Sequence, residues 1–138
     1  MLLDTNVISE LLKPSPSPHV MAWFETVNGA LYVSAITRAE LFLGAALLPA
    51  GKRRRELEAG LYEMFESRFA ARCLSFDEAA ADRFVEVKVH RIRHGLAMGT
   101  EDAQIAAIAL AQGLVLVTRN VKDFARLPGL EVLNPWDA

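Results

Sequence analysis

The sequence predicts an α/β sandwich with a mostly parallel sheet. Three observations predict it. Short apolar runs alternate with segments of helical periodicity along the whole chain. The run "LVLVT" at 114–118 is continuous and rich in β-branched residues, the pattern of a strand buried on both faces. Proline and glycine break the chain between several of these segments, at Pro14–Pro18, Pro49–Gly51, Gly95–Gly99 and Gly113.

In order, Leu2–Leu3 reads as a short buried strand, and a helix runs from about Asn6 to Lys13. Pro14, Pro16 and Pro18 in "KPSPSPH" stop that helix. Residues 19–27 read as helix, "ALYVSA" (30–35) as strand and "ITRAELFLGAALL" (36–48) as helix. Pro49-Ala50-Gly51 breaks the chain before a charged helix at about 52–68. "ARCLSF" (71–76) is a strand, and Asp77 caps a long helix to about His94. Gly95 and Gly99 mark the loop that follows, and residues 101–111 form a helix with Gly113 at its end. The strand 114–118 comes next, and "EVLNP" (131–135) closes the chain as a short strand. Residues 1–138 are expected to form a single domain, since no repeat, linker or low-complexity block divides them.

Hydrophobic residues make up 52% of the chain, enough for a sizeable core, and the net charge is −2. That charge argues against a basic protein that coats nucleic acid; any such contact must come from a local patch or from bound cations. Cys73 is the only cysteine, so no internal disulfide forms, which fits a reducing cytosol. Asp4 interrupts the only early apolar stretch, so no signal peptide is expected, and the run 103–117 is too short and interrupted to span a bilayer.

Ligands of parallel α/β sheets bind at the carboxyl ends of the strands. Asp4 lies at that end of the first strand, Ser34 ends the second, and Glu40 follows about two helical turns on. Thr118, Asn120 and Asp123 follow "LVLVT". Asp102 precedes that strand, yet a helix over 101–111 is about 16 Å long and the strand is similar. A tight turn at Gly113 makes the two antiparallel, so the helix start lies beside the strand's carboxyl end. Four acids, Asp4, Glu40, Asp102 and Asp123, are therefore expected in one crevice. Like charges so placed raise each other's pKa, and a divalent cation removes the cost. Oxygen-only ligands favour Mg²⁺ or Mn²⁺ over zinc, and such a site can activate water for in-line attack on a phosphate.

Other motifs carry less chemistry. Lys52-Arg53-Arg54-Arg55 is either an RNA contact or, as such runs usually are, a solvated helix face diluted by Glu56 and Glu58. His90 and His94 stand four apart without a third ligand and read as a solvated basic helix end together with Arg91 and Arg93. Cys73 reads as a small buried hydrophobe. No Gly-x-Ser-x-Gly elbow and no Gly-x-Gly-x-x-Gly after the first strand appear, which leaves serine hydrolase and dinucleotide-binding readings unsupported.

"LLDTNVISELL", "VSAITRAELFLGAALL", "EDAQIAAIAL" and "TRNVKDF", in this order and spacing, resemble a PIN-domain ribonuclease, and more narrowly the VapC/FitB toxins of bacterial type II toxin–antitoxin pairs. The resemblance runs from Met1 to "NPW". It implies a three-layer α/β/α sandwich of about four to five strands and a metal-dependent endoribonuclease, in which metal-activated water hydrolyses RNA phosphodiester bonds. It places the first Asp, the mid-helix Glu and the third acid at Asp4, Glu40 and Asp102, with Asp4 and Asp102 as direct ligands of Mg²⁺ (or Mn²⁺). The fourth position is divided between Asn120 and Asp123, because some relatives carry an Asp directly after Thr-Arg and others three residues later. Thr118, Asn120 and Asn6 would support the site. The resemblance further implies a homodimer, a cognate VapB/FitA-like antitoxin occupying the crevice, and a bacterial cytoplasmic location. Two rivals remain: a catalytically idle partner-binding domain, and a phosphohydrolase with Asp4 as nucleophile. The second rival lacks the usual Asp two residues on, where Asn6 stands.

Overall fold

The computed structural model describes residues 1–138. Five strands, β1 (Leu2–Leu3), β2 (Tyr32–Ser34), β3 (Cys73–Leu74), β4 (Leu116–Val117) and β5 (Val132–Leu133), form one sheet in the order β3-β2-β1-β4-β5. Every neighbouring pair is parallel, so the expected mostly parallel sheet is parallel throughout. Seven α-helices connect and flank the strands: α1 (Thr5–Leu11), α2 (Pro18–Thr26), α3 (Ala35–Ala46), α4 (Lys52–Glu63), α5 (Glu78–Arg93), α6 (Thr100–Gln112) and α7 (Val121–Phe124).

Even two-residue strands obey the period-2 rule, and that alternation builds the three layers. Leu2 and Leu116 point to one face, into a core with Ala80, Val87, Ile105 and Ile108 of α5 and α6. Leu3, Val33 and Val117 point to the other, against Val7, Ile8, Phe24, Leu41 and Leu61 of α1 to α4. Buried alanines at 103, 106, 107 and 109 let α6 approach its neighbours closely. No helix is long and apolar enough to cross a membrane.

The differences from the expected elements have local causes. The strands at 30–35, 71–76, 114–118 and 131–135 pair over only two or three residues each. The charged helix at 52–68 is α-helical only to Glu63, and Met64–Arg68 continue as a π-helical turn that ends with Phe69 N–H donating to Met64 O at 3.0 Å. That turn lets Phe65 and Phe69 both reach the core, at 5% and 1% exposure. Pro18 begins α2 instead of merely breaking the chain, since a proline fits the first helical turn. The short α7 has too few residues to display a period. Arg91 is a correction: it is buried at 5% exposure, not solvated as the basic run at 90–94 implied.

Gly113 closes α6 at φ 64°, a left-handed conformation that side chains disfavour. A Cβ there meets nothing within 4 Å, so the strain is purely of the backbone. Gly113→Ala is expected to destabilise by about 1 kcal/mol in urea unfolding while leaving the fold unchanged.

Candidate active site

β1 is too short to hold more than two leucines, and the chain turns into α1 at Asp4. Asp4 serves as the N-cap of α1, its Oδ1 accepting from Thr5 N at 2.8 Å. Capping is not its whole environment. Asp4 is 4% exposed. Its Oδ2 accepts from Thr118 Oγ1 at 2.7 Å and from Asn6 Nδ2 at 3.3 Å. Thr118, at the carboxyl end of β4, itself accepts from Asn6 Nδ2 at 3.2 Å and from Asn120 N at 3.1 Å. With those acceptor positions filled, the hydroxyl proton is directed to Asp4. Desolvation pushes the Asp4 pKa up, against the lowering pull of these three hydrogen bonds, and the Asp123 charge adds to the rise.

Ser34 ends β2 and caps α3, accepting from Thr37 N at 3.0 Å. The helix thus starts at the sheet edge and carries Thr37 and Glu40 on one face. Thr5 Oγ1 lies 3.0 Å from Thr37 Oγ1 and donates to Glu40 Oε1 at 3.1 Å, which turns Glu40 toward Asp4. Desolvation raises the Glu40 pKa, with the charges of Asp4, Asp102 and Glu101 adding to it. Asp102 sits in the first turn of α6, half-buried, and its pKa is raised by desolvation and then by Asp4, Asp123 and Glu101.

Asp4, Glu40 and Asp102 line one crevice of about 400 Å³ together with Asn6 and Asn120. Asp123, on α7, lies in the adjoining hollow with Asp102, Ala97, Met98 and Gly99. Asp102 is therefore shared by both hollows, and Asp123 acts on the crevice through its charge. The basic run divides: Lys52 and Arg54 pair along α4 with Glu56 at 3.7 Å and Glu58 at 2.6 Å, while Arg55 is exposed. Arg53 lines a larger groove of about 890 Å³ between α1, α3 and α4, which shares Thr5, Ser9, Lys13 and Glu40 with the crevice. His90 and His94 stack on each other at 4.1 Å, with no acid or thiol completing a metal set.

Several residues of the site escaped sequence reading. Glu10, 6% exposed, accepts from Lys13 Nζ and Ser17 N, both at 2.9 Å, and those bonds hold its pKa down. Its place one turn after Asn6 on α1 was the available signal. Arg119 and Trp136 also line the crevice. Arg91 Nη2 donates to Asp123 O at 2.9 Å and Ala125 O at 2.7 Å, tying α7 to α5. Nothing in the sequence couples residue 91 to residues 32 or 34 positions away.

The donors fit a hard divalent cation. They are oxygen-only, and three of the carboxylates are held above their ordinary pKa range largely by burial and by one another. No three Asp, Glu, His or Cys side chains form a ready-made metal cage.

The comparisons agree with this fold. The family model described as "PIN domain" matches residues 1–130. The VapC ribonuclease Y4jK of Sinorhizobium fredii is 40% identical over 99% of this chain and 98% of its own length. Toxin FitB of Neisseria gonorrhoeae is 40% identical, covering 99% of this chain and 98% of the relative. The crystal structure of FitAcB from Neisseria gonorrhoeae superposes with a TM-score of 0.90 at 40% identity, covering 99% of both chains. A parallel sandwich, an acidic crevice at its carboxyl edge and these likenesses lead to one conclusion: the chain belongs to the PIN-domain family.

Proposed function

We propose that the chain, as one domain, is a metal-dependent endoribonuclease and the toxin half of a bacterial toxin–antitoxin pair. One observation carries the reading: Asp4, Glu40 and Asp102, far apart in sequence, line a single crevice in a chain of the PIN-domain family. In this reading Asp4 and Asp102 would hold the ion, Glu40 and Asp123 would orient water or hold a second ion, and Thr118, Asn6 and Asn120 would position the site or the scissile phosphate. A bound Mg²⁺ or Mn²⁺ would supply a Lewis acid that polarises the phosphate and lowers the pKa of water. The chain's own part is positional. Thr118 and Asn6 keep Asp4 oriented, and Thr5 keeps Glu40 from swinging to solvent. Attack by water on phosphorus would then break the P–O3′ bond, leaving a 5′-phosphate and, once O3′ takes up a proton, a 3′-hydroxyl.

The groove between α1, α3 and α4 supports the partner reading. Its Leu12, Leu41, Leu57 and Leu61 offer an apolar bed that opens onto Glu40. An antitoxin of the FitA/VapB kind lying there would reach the crevice and block it. The protein works in the bacterial cytoplasm as a homodimer that joins a higher assembly with its antitoxin.

Purified chain incubated with single-stranded RNA and with transfer RNA is expected to cleave with Mg²⁺ or Mn²⁺ and to stop when EDTA is in excess. Cleavage that survives chelation would remove the metal-dependent reading. Covalent phosphate trapped on Asp4 would favour a phosphohydrolase instead.

A further inference from the structure

The crevice that is to admit a polyanion is lined by four acids, Asp4, Glu10, Glu40 and Asp102, and only two cations, Lys13 and Arg119. Lys13 is already committed, its Nζ bonded to Glu10 at 2.9 Å. Arg119 is different. Its guanidinium takes part in none of the chain's ion pairs and donates no hydrogen bond. The residue is anchored by its backbone, whose N–H donates to Asn6 Oδ1 at 3.1 Å. The head group is anchored by an aromatic ring, with Cζ 4.9 Å from the centre of Trp136. Trp136 in turn packs on the core beside β1, β2 and β4 and is fixed by its own N–H, which donates to Asn134 Oδ1 at 3.0 Å. An exposed arginine is thus pinned by residue 6 and by Trp136 at the crevice that Asp4 also lines, with its donors free.

We infer that Arg119, held by Trp136, forms a nucleotide subsite at the crevice rim, where it binds an RNA phosphate beside the scissile one. The inference rests on the ribonuclease reading for the identity of the ligand. A guanidinium is well matched to such a ligand, because its planar fork pairs with phosphate oxygens and its outer face stacks on a base. Trp136 acts as a positioning residue that reduces the freedom Arg119 would lose on binding. Glu10 feels the Arg119 charge but is bonded to Lys13 and Ser17, and no ion pair forms between Glu10 and Arg119.

The test measures binding of a fluorescent single-stranded RNA oligonucleotide by anisotropy across a salt series. Ca²⁺ replaces Mg²⁺ to neutralise the acids, and a gel confirms that the RNA stays intact. Arg119→Gln is expected to weaken binding about tenfold and to reduce the slope of log K against log salt by about 0.7, the loss of one phosphate contact on a single strand. Arg119→Lys should keep the slope and recover part of the affinity, and Trp136→Phe should stay close to wild type because a ring face remains. With Mg²⁺ present, Arg119→Gln should raise KM and leave kcat within about threefold. An unchanged salt slope, or a fall in kcat at constant KM, overturns the subsite. So does an Arg119→Gln variant that binds RNA normally yet no longer binds a cognate antitoxin. Wild-type chain that cleaves no RNA with any divalent ion would sink the ribonuclease reading, while the Ca²⁺ binding series still decides the subsite.

Discussion

Asp4→Asn is expected to lower metal-dependent RNA cleavage by about 10³-fold or more while leaving the fold intact. The substitution keeps the shape and one oxygen, so the hydrogen bond from Thr5 N can persist. It removes the negative charge that would hold the ion. It also sets an amide N–H₂ against Thr118, whose acceptor positions already receive Asn6 and Asn120. That mismatch costs stability. Removing a desolvated charge returns it, since burial already disfavours the Asp4 carboxylate. The two effects oppose, and the unfolding temperature should move by no more than about 5 °C. Circular dichroism melting and a cleavage time course on one preparation check both halves. Substantial residual activity, above about a tenth of wild type, would remove Asp4 from the chemistry.

Metal and pH should act on stability in opposite directions through the same carboxylates. Asp4, Glu40 and Asp102 all have raised pKa values in the fold, each chiefly through desolvation. Between their ordinary range and those raised values, the folded chain binds more protons than the unfolded one, so stability falls as pH rises through that window. Below the window the three groups carry no penalty, and above it the penalty is complete. Glu10 works in the other sense: its contribution is lost as pH falls below the ordinary glutamate range, at the acid end of this window and beneath it. The metal-free chain is therefore expected to melt higher at pH 5 than these three acids allow at pH 7.5. A cation that binds only the folded state reverses the penalty. At a hundred times its dissociation constant it adds about 2.7 kcal/mol, on the order of 10 °C for a chain of this length. The gain from Mn²⁺ should be large at pH 7.5, small at pH 5 where protons compete, and nearly absent in Asp4→Asn. Scanning fluorimetry with and without EDTA measures all three; equal Mn²⁺ shifts at both pH values would detach the ion from these acids.

The alternation of apolar runs with helical segments determined the parallel α/β class, because strand and helix periods are local and each run is bounded by Pro, Gly or a capping residue. The position of Asp102 was also legible. An α6 of known rise, a strand and a left-handed Gly113 between them leave one geometry, and α6 starts beside the carboxyl end of β4. Asp4 could be read because it follows directly on β1, and Glu40 because a carboxylate in so apolar a helix needs a reason. The family resemblance rested on these same residues and named the family correctly.

Tertiary structure alone decided the rest. Asp123 stands in the hollow beside the crevice, because Arg91 ties α7 to α5 through two backbone carbonyls, and a buried arginine looks the same in sequence as a solvated one. Thr5, an ordinary cap residue by sequence, aims Glu40, and Thr118, expected from sequence only to support the site, aims Asp4, through bonds spanning 35 and 114 residues. Trp136 meets Arg119 only after the last strand has been laid beside β4. Local periodicity and chain stiffness fix which element each residue joins. Which side chains then face one another depends on packing between elements, and that information lies in the pairings rather than in any stretch of the chain.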